Sequence, residues 1–207
     1  MRKEKIIEKR DAVRKSIIEA AKRIFTQSGY DKSSLNMIAD ELGKGKSTLY
    51  YYFKSKEEIF KEVLRIESES IWEQVKNEVV KFTDPKKQIK AYMLTRMKEI
   101  KNKINYSEAL KNEMLKTYEF INKIRQDFNL REQKAIQSIL DYGVKEDIFI
   151  IKNTKLTAEA IAIALRGFEM PLITDYHSGK EIEEKIDEML YILFNGMLKR
   201  NGPCLAT

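Results

Sequence analysis

A chain of 207 residues with 43% hydrophobic content is long enough to bury the core of one domain or two small ones, which excludes a disordered protein. Three Pro, eight Gly and 34% charged residues speak against a turn-rich β-sandwich and for an all-α protein, while a single Cys (Cys204) and a single His (His177) exclude a disulfide framework and a His-cluster metal site. The net charge of +7 is unevenly placed, since residues 1–56 hold 14 Lys/Arg against 7 Asp/Glu and residues 57–207 hold 25 against 25, so a basic module precedes a neutral one.

The first ten residues, MRKEKIIEKR, lack the apolar region of a secretion signal, and no apolar run approaches the length of a membrane span; a cytoplasmic protein is expected. Ile17, Ala20, Ala21, Ile24 and Phe25 share one helical face, which predicts a first helix over 5–28, stopped by Gly29. Ser33 and Ser34 are both cap candidates for a two-turn second helix whose apolar positions Leu35, Ile38, Ala39 and Leu42 end at Gly43. A third short helix follows from Lys46 to Tyr52, with Leu49, Tyr52 and Phe53 on its inner side. Ser55 and Glu58 form a capping box that opens a long fourth helix through Ile59, Phe60, Val63, Leu64, Ile71, Val75 and Val79. Asp84 before Pro85 reads as an N-cap with Pro at the first helical position, starting a helix through Tyr92, Met93, Met97 and Ile100. Further helices are expected at 108–116 and 118–142, with Gly143 and the β-branched stretch Ile148 to Ile151 breaking the pattern. Asn153 and Thr157 offer restarts for an Ala-rich helix, and Ser178 with Glu181 caps a last helix carrying Ile182, Ile186, Met189, Leu190, Leu193, Phe194 and Met197 on one stripe.

The segment from Gly29 to Phe60 has the layout of a helix-turn-helix, in which the second helix projects its N-terminus outwards where it fits the major groove. Gly45, Lys46, Ser47 and Thr48 occupy that end and are small or cationic. Tyr50, Tyr51, Lys54 and Lys56 follow with hydroxyl and ammonium donors suited to phosphates and base edges. GKGKST is a weak match to a phosphate-binding loop, because the required glycine five positions before Gly45 is Asp40 and no strand precedes it. Residues 1–23 as a membrane-lying basic helix fit poorly as well, with Glu4, Glu8, Asp11 and Glu19 among the basic residues.

The sequence resembles the TetR family of bacterial transcriptional regulators, through AAKRIF and GY at the end of helix 1, SSLNMIADELG across helix 2, and STLYYYFKSKEEIF across helices 3 and 4. The resemblance covers residues 14–62. It implies an all-α dimer of about nine helices, with a three-helix DNA-binding head at 1–56 and an effector-binding and dimerisation body at 57–207. It implies further that Ser33, Thr48, Tyr50 and Lys56 hold phosphates and that Lys46, Ser47 and Tyr51 lie near base edges, with Ser34, Gly45 and Lys54 at the same surface. Two positions depart from the family pattern: Lys44 stands at an apolar turn position, and Met37 where an acidic capping partner is common.

In the body, Trp72, Tyr92, Met93, Met97, Tyr118 and Phe128 are large, adaptable side chains, candidates for lining a pocket for a partly apolar small-molecule effector. Ile161, Leu165, Phe168, Ile186, Met189, Leu190, Leu193 and Met197 are the candidate dimer interface, packing two copies as a four-helix bundle. The acidic residues show no isolated pair in an apolar context that would suggest acid–base chemistry, and neither an enzyme, a cofactor, a metal nor a membrane partner is expected. The expected function is a DNA-binding regulator, a ligand-responsive repressor on a palindromic double-stranded operator. The alternative is a helical interaction or adaptor protein with a DNA-binding head.

Overall fold

The computed structural model describes residues 2–112, 119–174 and 179–196, and among these it is helical throughout, with no strand. In chain order the described helices are α1 (Arg2–Lys32), α2 (Leu35–Glu41), α3 (Lys46–Tyr52), α4 (Lys56–Val79), α5 (Pro85–Asn102), α6 (Ile104–Lys111), α7 (Glu119–Lys145), α8 (Thr154–Thr174) and α9 (Gly179–Asn195). No described helix is long and apolar enough to cross a membrane.

The caps explain most boundaries. Ser34 Oγ accepts the Met37 N–H at 3.3 Å, Ser55 Oγ accepts the Glu58 N–H at 3.1 Å, Asp84 Oδ1 accepts the Lys86 N–H at 2.9 Å, and Asn153 Oδ1 accepts the Leu156 N–H at 2.9 Å. Glu58 completes its capping box one residue further out than expected, accepting from the Lys54 N–H at 2.6 Å. Gly29 interrupts α1 with φ 73° and ψ 163°, and Tyr30 to Lys32 add a last turn beyond that kink.

Three expectations need correction. α1 starts at Arg2, and the helix expected at 108–116 is α6, which begins at Ile104. Gly143 does not break the pattern but lies buried inside α7, which ends at Lys145 before Asp147 turns the chain with φ 56°. Ser178 lies outside the described residues, as do His177, Tyr118 and Met197.

α4 binds the two ends of the molecule. Its first turns put Ile59, Phe60 and Val63 among the α1–α3 side chains, with Phe60 edge-on to Phe25 at 5.0 Å. Its later turns put Ile71, Trp72 and Val75 among the body helices. α4 packs along α5, α7 along α8, and α9 lies against α5, so that one continuous core joins head and body. This arrangement uses up the apolar stripes of α8 and α9. Ile161, Leu165, Ile186 and Leu190, expected at a dimer interface, are buried within the single chain; Phe168 and Met189 are half-buried, and Leu193 remains exposed. The reason is that the α8 stripe faces α7 and α5 and the α9 stripe faces α5, whose own apolar faces need covering. What α8 leaves to solvent is a different line, Leu156, Ala160, Ile163, Ala164 and Gly167, spaced along one helical face.

Candidate nucleic-acid interface

α3 is held from below and open above. Leu49 is fully buried, Phe53 at its C-cap is buried and Tyr52 is half-buried, which fixes the rotation of this seven-residue helix. Its opposite side is presented to solvent: Gly45, Lys46 and Ser47 are exposed, Thr48 is half-buried, and Tyr50 and Tyr51 are 50% and 69% exposed. Gly43, at φ 61°, makes the turn from α2 that a side chain would strain, and Lys44 beside it is exposed, its N–H bonded to the Ala39 carbonyl at 3.0 Å. The Lys46 ammonium stands 5.8 Å from the Tyr50 ring centroid, and Lys54 is exposed just past the helix. Large aromatic side chains and cations left exposed on a locked helix form a surface that can meet phosphates and base edges.

Two of the expected phosphate holders are placed otherwise. Ser33 is buried, its hydroxyl donating to the Tyr30 carbonyl at 2.6 Å. The Lys56 ammonium donates to the Tyr30 carbonyl at 2.7 Å and the Ser33 carbonyl at 3.1 Å, and lies 4.1 Å from the Tyr30 ring centroid. Both side chains fasten the corner between α1 and α2, where α1 ends and its last carbonyls need partners; the Tyr30 carbonyl also accepts the Ser33 N–H at 3.3 Å. Burial lowers the proton affinity of Lys56, partly offset by the Asp31 carboxylate. Ser34 is half-buried and occupied as the α2 cap.

Comparison with known proteins places this head. The profile described as "Bacterial regulatory proteins, tetR family" matches residues 17–63. The HTH-type transcriptional regulator QacR of Staphylococcus aureus (strain Mu50 / ATCC 700699) is 28% identical over 192 residues, covering 88% of this chain and 97% of that protein. The uncharacterized HTH-type transcriptional regulator YhgD of Bacillus subtilis (strain 168) is 44% identical over 50 residues, 24% of this chain and 26% of its own length. Over residues 17–63 the chain resembles the TetR family. It is a DNA-binding transcriptional regulator. Its fold is shared with a regulator of the TetR/AcrR family from Thermobifida fusca YX-ER1, at a TM-score of 0.72 and 22% identity over 91% of this chain and 100% of that one.

In the body of the chain, an open cleft of about 540 Å³ lies between α4, α5 and α7, walled by Trp72, Val75, Val79, Tyr92, Ile139 and Tyr142. Trp72 Nε1 is buried there with no hydrogen-bond partner among the described residues. Trp72 and Phe128 also border a smaller cleft of about 260 Å³ with Arg65, Glu69 and Arg131. Met93 and Met97 are fully buried in the core and line neither cleft; the Met97 thioether accepts from the Arg96 guanidinium at 3.8 Å.

A buried charged cluster corrects the expectation of no acidic pair in an apolar context. Arg96, fully buried on α5, pairs with Glu132 of α7 and Glu169 of α8, and Tyr92 donates to Glu132 Oε1 at 3.4 Å. Burial opposes the Arg96 charge, but the two carboxylates more than offset it and keep the guanidinium protonated. Burial raises the proton affinity of Glu132 despite Arg96 beside it, and burial followed by the Glu132 charge keeps the Tyr92 phenol neutral. The signal was present in the spacing. Phe128, Glu132, Ile136 and Ile139 form one stripe, in which a carboxylate among apolar neighbours marks a buried partner.

A third buried carboxylate, apart from that cluster, lies where α4 meets α1 and α6. Glu67 of α4 accepts from the Tyr106 N–H at 2.9 Å and from Asn105 Nδ2 at 3.1 Å, at the start of α6. Asn105 Nδ2 also lies 3.0 Å from Thr26 Oγ1 of α1. No local pattern in the chain marks this junction, whose partners are some forty and eighty positions apart.

Proposed function

We propose that this regulator is a ligand-responsive repressor which binds a palindromic operator as a homodimer, with residues 1–56 as the DNA-binding head and 57–207 as the effector-binding and dimerisation body. The observation that carries the reading is the display of α3, with Lys46, Ser47, Tyr50 and Tyr51 exposed on a helix locked by Leu49 and Phe53. Lys46, Ser47 and Tyr51 take the base edges; Thr48, Tyr50 and Lys54 take phosphates, with Gly45 allowing the backbone to come close. A single short helix covers few base pairs, so a second copy on a twofold axis supplies the second half-site. The apolar line of α8 left open to solvent supports that pairing.

Ligand response is supported by the cleft and by what lies behind its wall. The Trp72 ring stands 5.1 Å from Phe128, and Phe128 stands 5.8 Å from Tyr106, whose N–H is held by Glu67 next to Asn105 and α1. A partly apolar effector that displaces Trp72 shifts this series of contacts and with it the angle of the head. The two head spacings are the states between which DNA and effector compete. The cytoplasm, where DNA is accessible, is the fitting location.

The test is selection of bound sequences from a random duplex pool with the full-length protein. An inverted repeat should be enriched, its half-sites about one helical turn (~34 Å) or a multiple apart. On that sequence Lys46→Ala should cost roughly 1–3 kcal/mol per half-site, with a smaller loss on random DNA. No enrichment, or enrichment of a single asymmetric site, would reject the palindromic homodimer; equal losses on both duplexes would take Lys46 away from the base edges.

A further inference from the structure

Much of the chain's positive charge lies ahead of the helix-turn-helix. Residues 2–15 carry seven Lys/Arg against three Asp/Glu, a net +4 of the chain's +7. The structure makes this stretch helix: α1 begins at Arg2, residues 7–12 are exposed, and the buried line starts only at Ile17. Val13 is the first residue to pack against the core, so at about 1.5 Å per residue roughly 16 Å of helix stands beyond the core of the head.

Two contacts, four residues apart on one face of α1, orient this overhang. The Arg14 guanidinium lies 5.0 Å from the Phe53 ring centroid and 3.3 Å from Glu62, where α3 passes into α4. One turn earlier, Arg10 lies 5.9 Å from the ring centroid of Tyr51, on the exposed side of α3. The overhang runs beside the α3 surface that meets DNA.

We propose that the first turns of α1, acting through Lys9 and Arg10, hold DNA phosphates flanking the bases met by α3, so that the footprint of each head is wider than its helix-turn-helix. Charge complementarity selects the partner. A net positive helix next to the reading helix comes within reach of the same duplex, and phosphate binding tolerates the interspersed Glu8 and Asp11 as long as the cations reach out. An anionic bilayer would instead need a broad apolar face to insert, and residues 2–12 offer only Ile6, Ile7 and Ala12. The inference rests on the assignment of α3 to DNA.

The experiment measures binding of the full chain to a random-sequence duplex as a function of salt, for the wild type, the K9Q/R10Q variant and the K9R/R10K variant. Each phosphate no longer neutralised should lower the slope of log affinity against log salt by about 0.9, so the slope of K9Q/R10Q should fall by close to 2 per protomer while K9R/R10K retains the wild-type slope. Both residues are exposed, so thermal unfolding should not change and gives the check on folding. A K9Q/R10Q slope equal to that of the wild type overturns the proposal, and it is overturned in favour of a membrane role if the same variant instead loses binding to anionic vesicles. If the wild type shows no salt-dependent DNA binding at all, the assignment of α3 fails as well, which separates the two failures.

Discussion

A lysine whose ammonium is shared between two main-chain carbonyls and an aromatic face has little left to offer a phosphate, and Lys56 is such a residue. It fastens the start of α4 to the corner between α1 and α2, from which α3 is presented. Glu132 illustrates the opposite case, a charge placed where burial disfavours it. Its proton affinity is raised in the folded chain, chiefly by burial, so the folded state binds the proton more readily than the unfolded one. The stability this contributes is complete below the usual glutamate value of 4.5 and is lost as pH rises through the raised one. Glu132→Gln, uncharged at every pH, should accordingly show a thermal midpoint that falls less than that of the wild type between pH 4.5 and neutrality. Parallel curves would mean that Arg96 and the wild-type carboxylate stay ionised across the whole range.

At the scale of helices, the end of α7 shows what one missing Cβ permits. The Phe149 ring occupies the space where a side chain on Gly143 would stand, and the Gly143 carbonyl accepts the N–H groups of Ile148 at 2.8 Å and Phe149 at 3.0 Å. The loop therefore folds back onto the helix it leaves. Gly143→Ala should expel the ring and cost about 1–3 kcal/mol in denaturant unfolding, less whatever Ala adds to helix propensity. Phe149→Leu should relieve part of that loss in the double variant, and a Gly143→Ala protein as stable as the wild type would disprove the packing. The same glycine marks how far the elements were legible in the chain. Caps at Ser34, Ser55, Asp84 and Asn153 could be read because each is a local exchange between a side chain and an N–H two or three residues on. Gly143 read as a breaker because its reason, Phe149, lies outside the helix. The exposed side of α3 was legible for a similar reason, its inner positions being marked by Leu49 and Phe53. The inward turn of Ser33 and Lys56 depends on the kinked carbonyls of Tyr30 and Ser33, which no residue pattern announces.

For the whole molecule, the decisive question is which apolar surface a second copy would cover. Periodicity marks the strongest stripe of a helix, but a helix between two neighbours has two faces to satisfy, and in α8 the stronger stripe goes to the interior. Leu165 is fully buried against the body, whereas Ile163, two positions earlier, is 60% exposed between Ala160, Ala164 and Gly167. Small residues around one branched side chain let two helix backbones come close, with that side chain as the anchor of the contact. A carboxylate at each position therefore separates assembly from folding. Ile163→Glu should leave the helical content and cooperative unfolding of the chain intact, shift sedimentation from dimer to monomer at micromolar concentration, and lower operator affinity by removing the second head. Leu165→Glu should unfold the body itself, since a buried charge without a partner costs several kcal/mol. If Ile163→Glu sediments as the wild type does, α8 is not the pairing surface, and the homodimer, if it forms, must use another face.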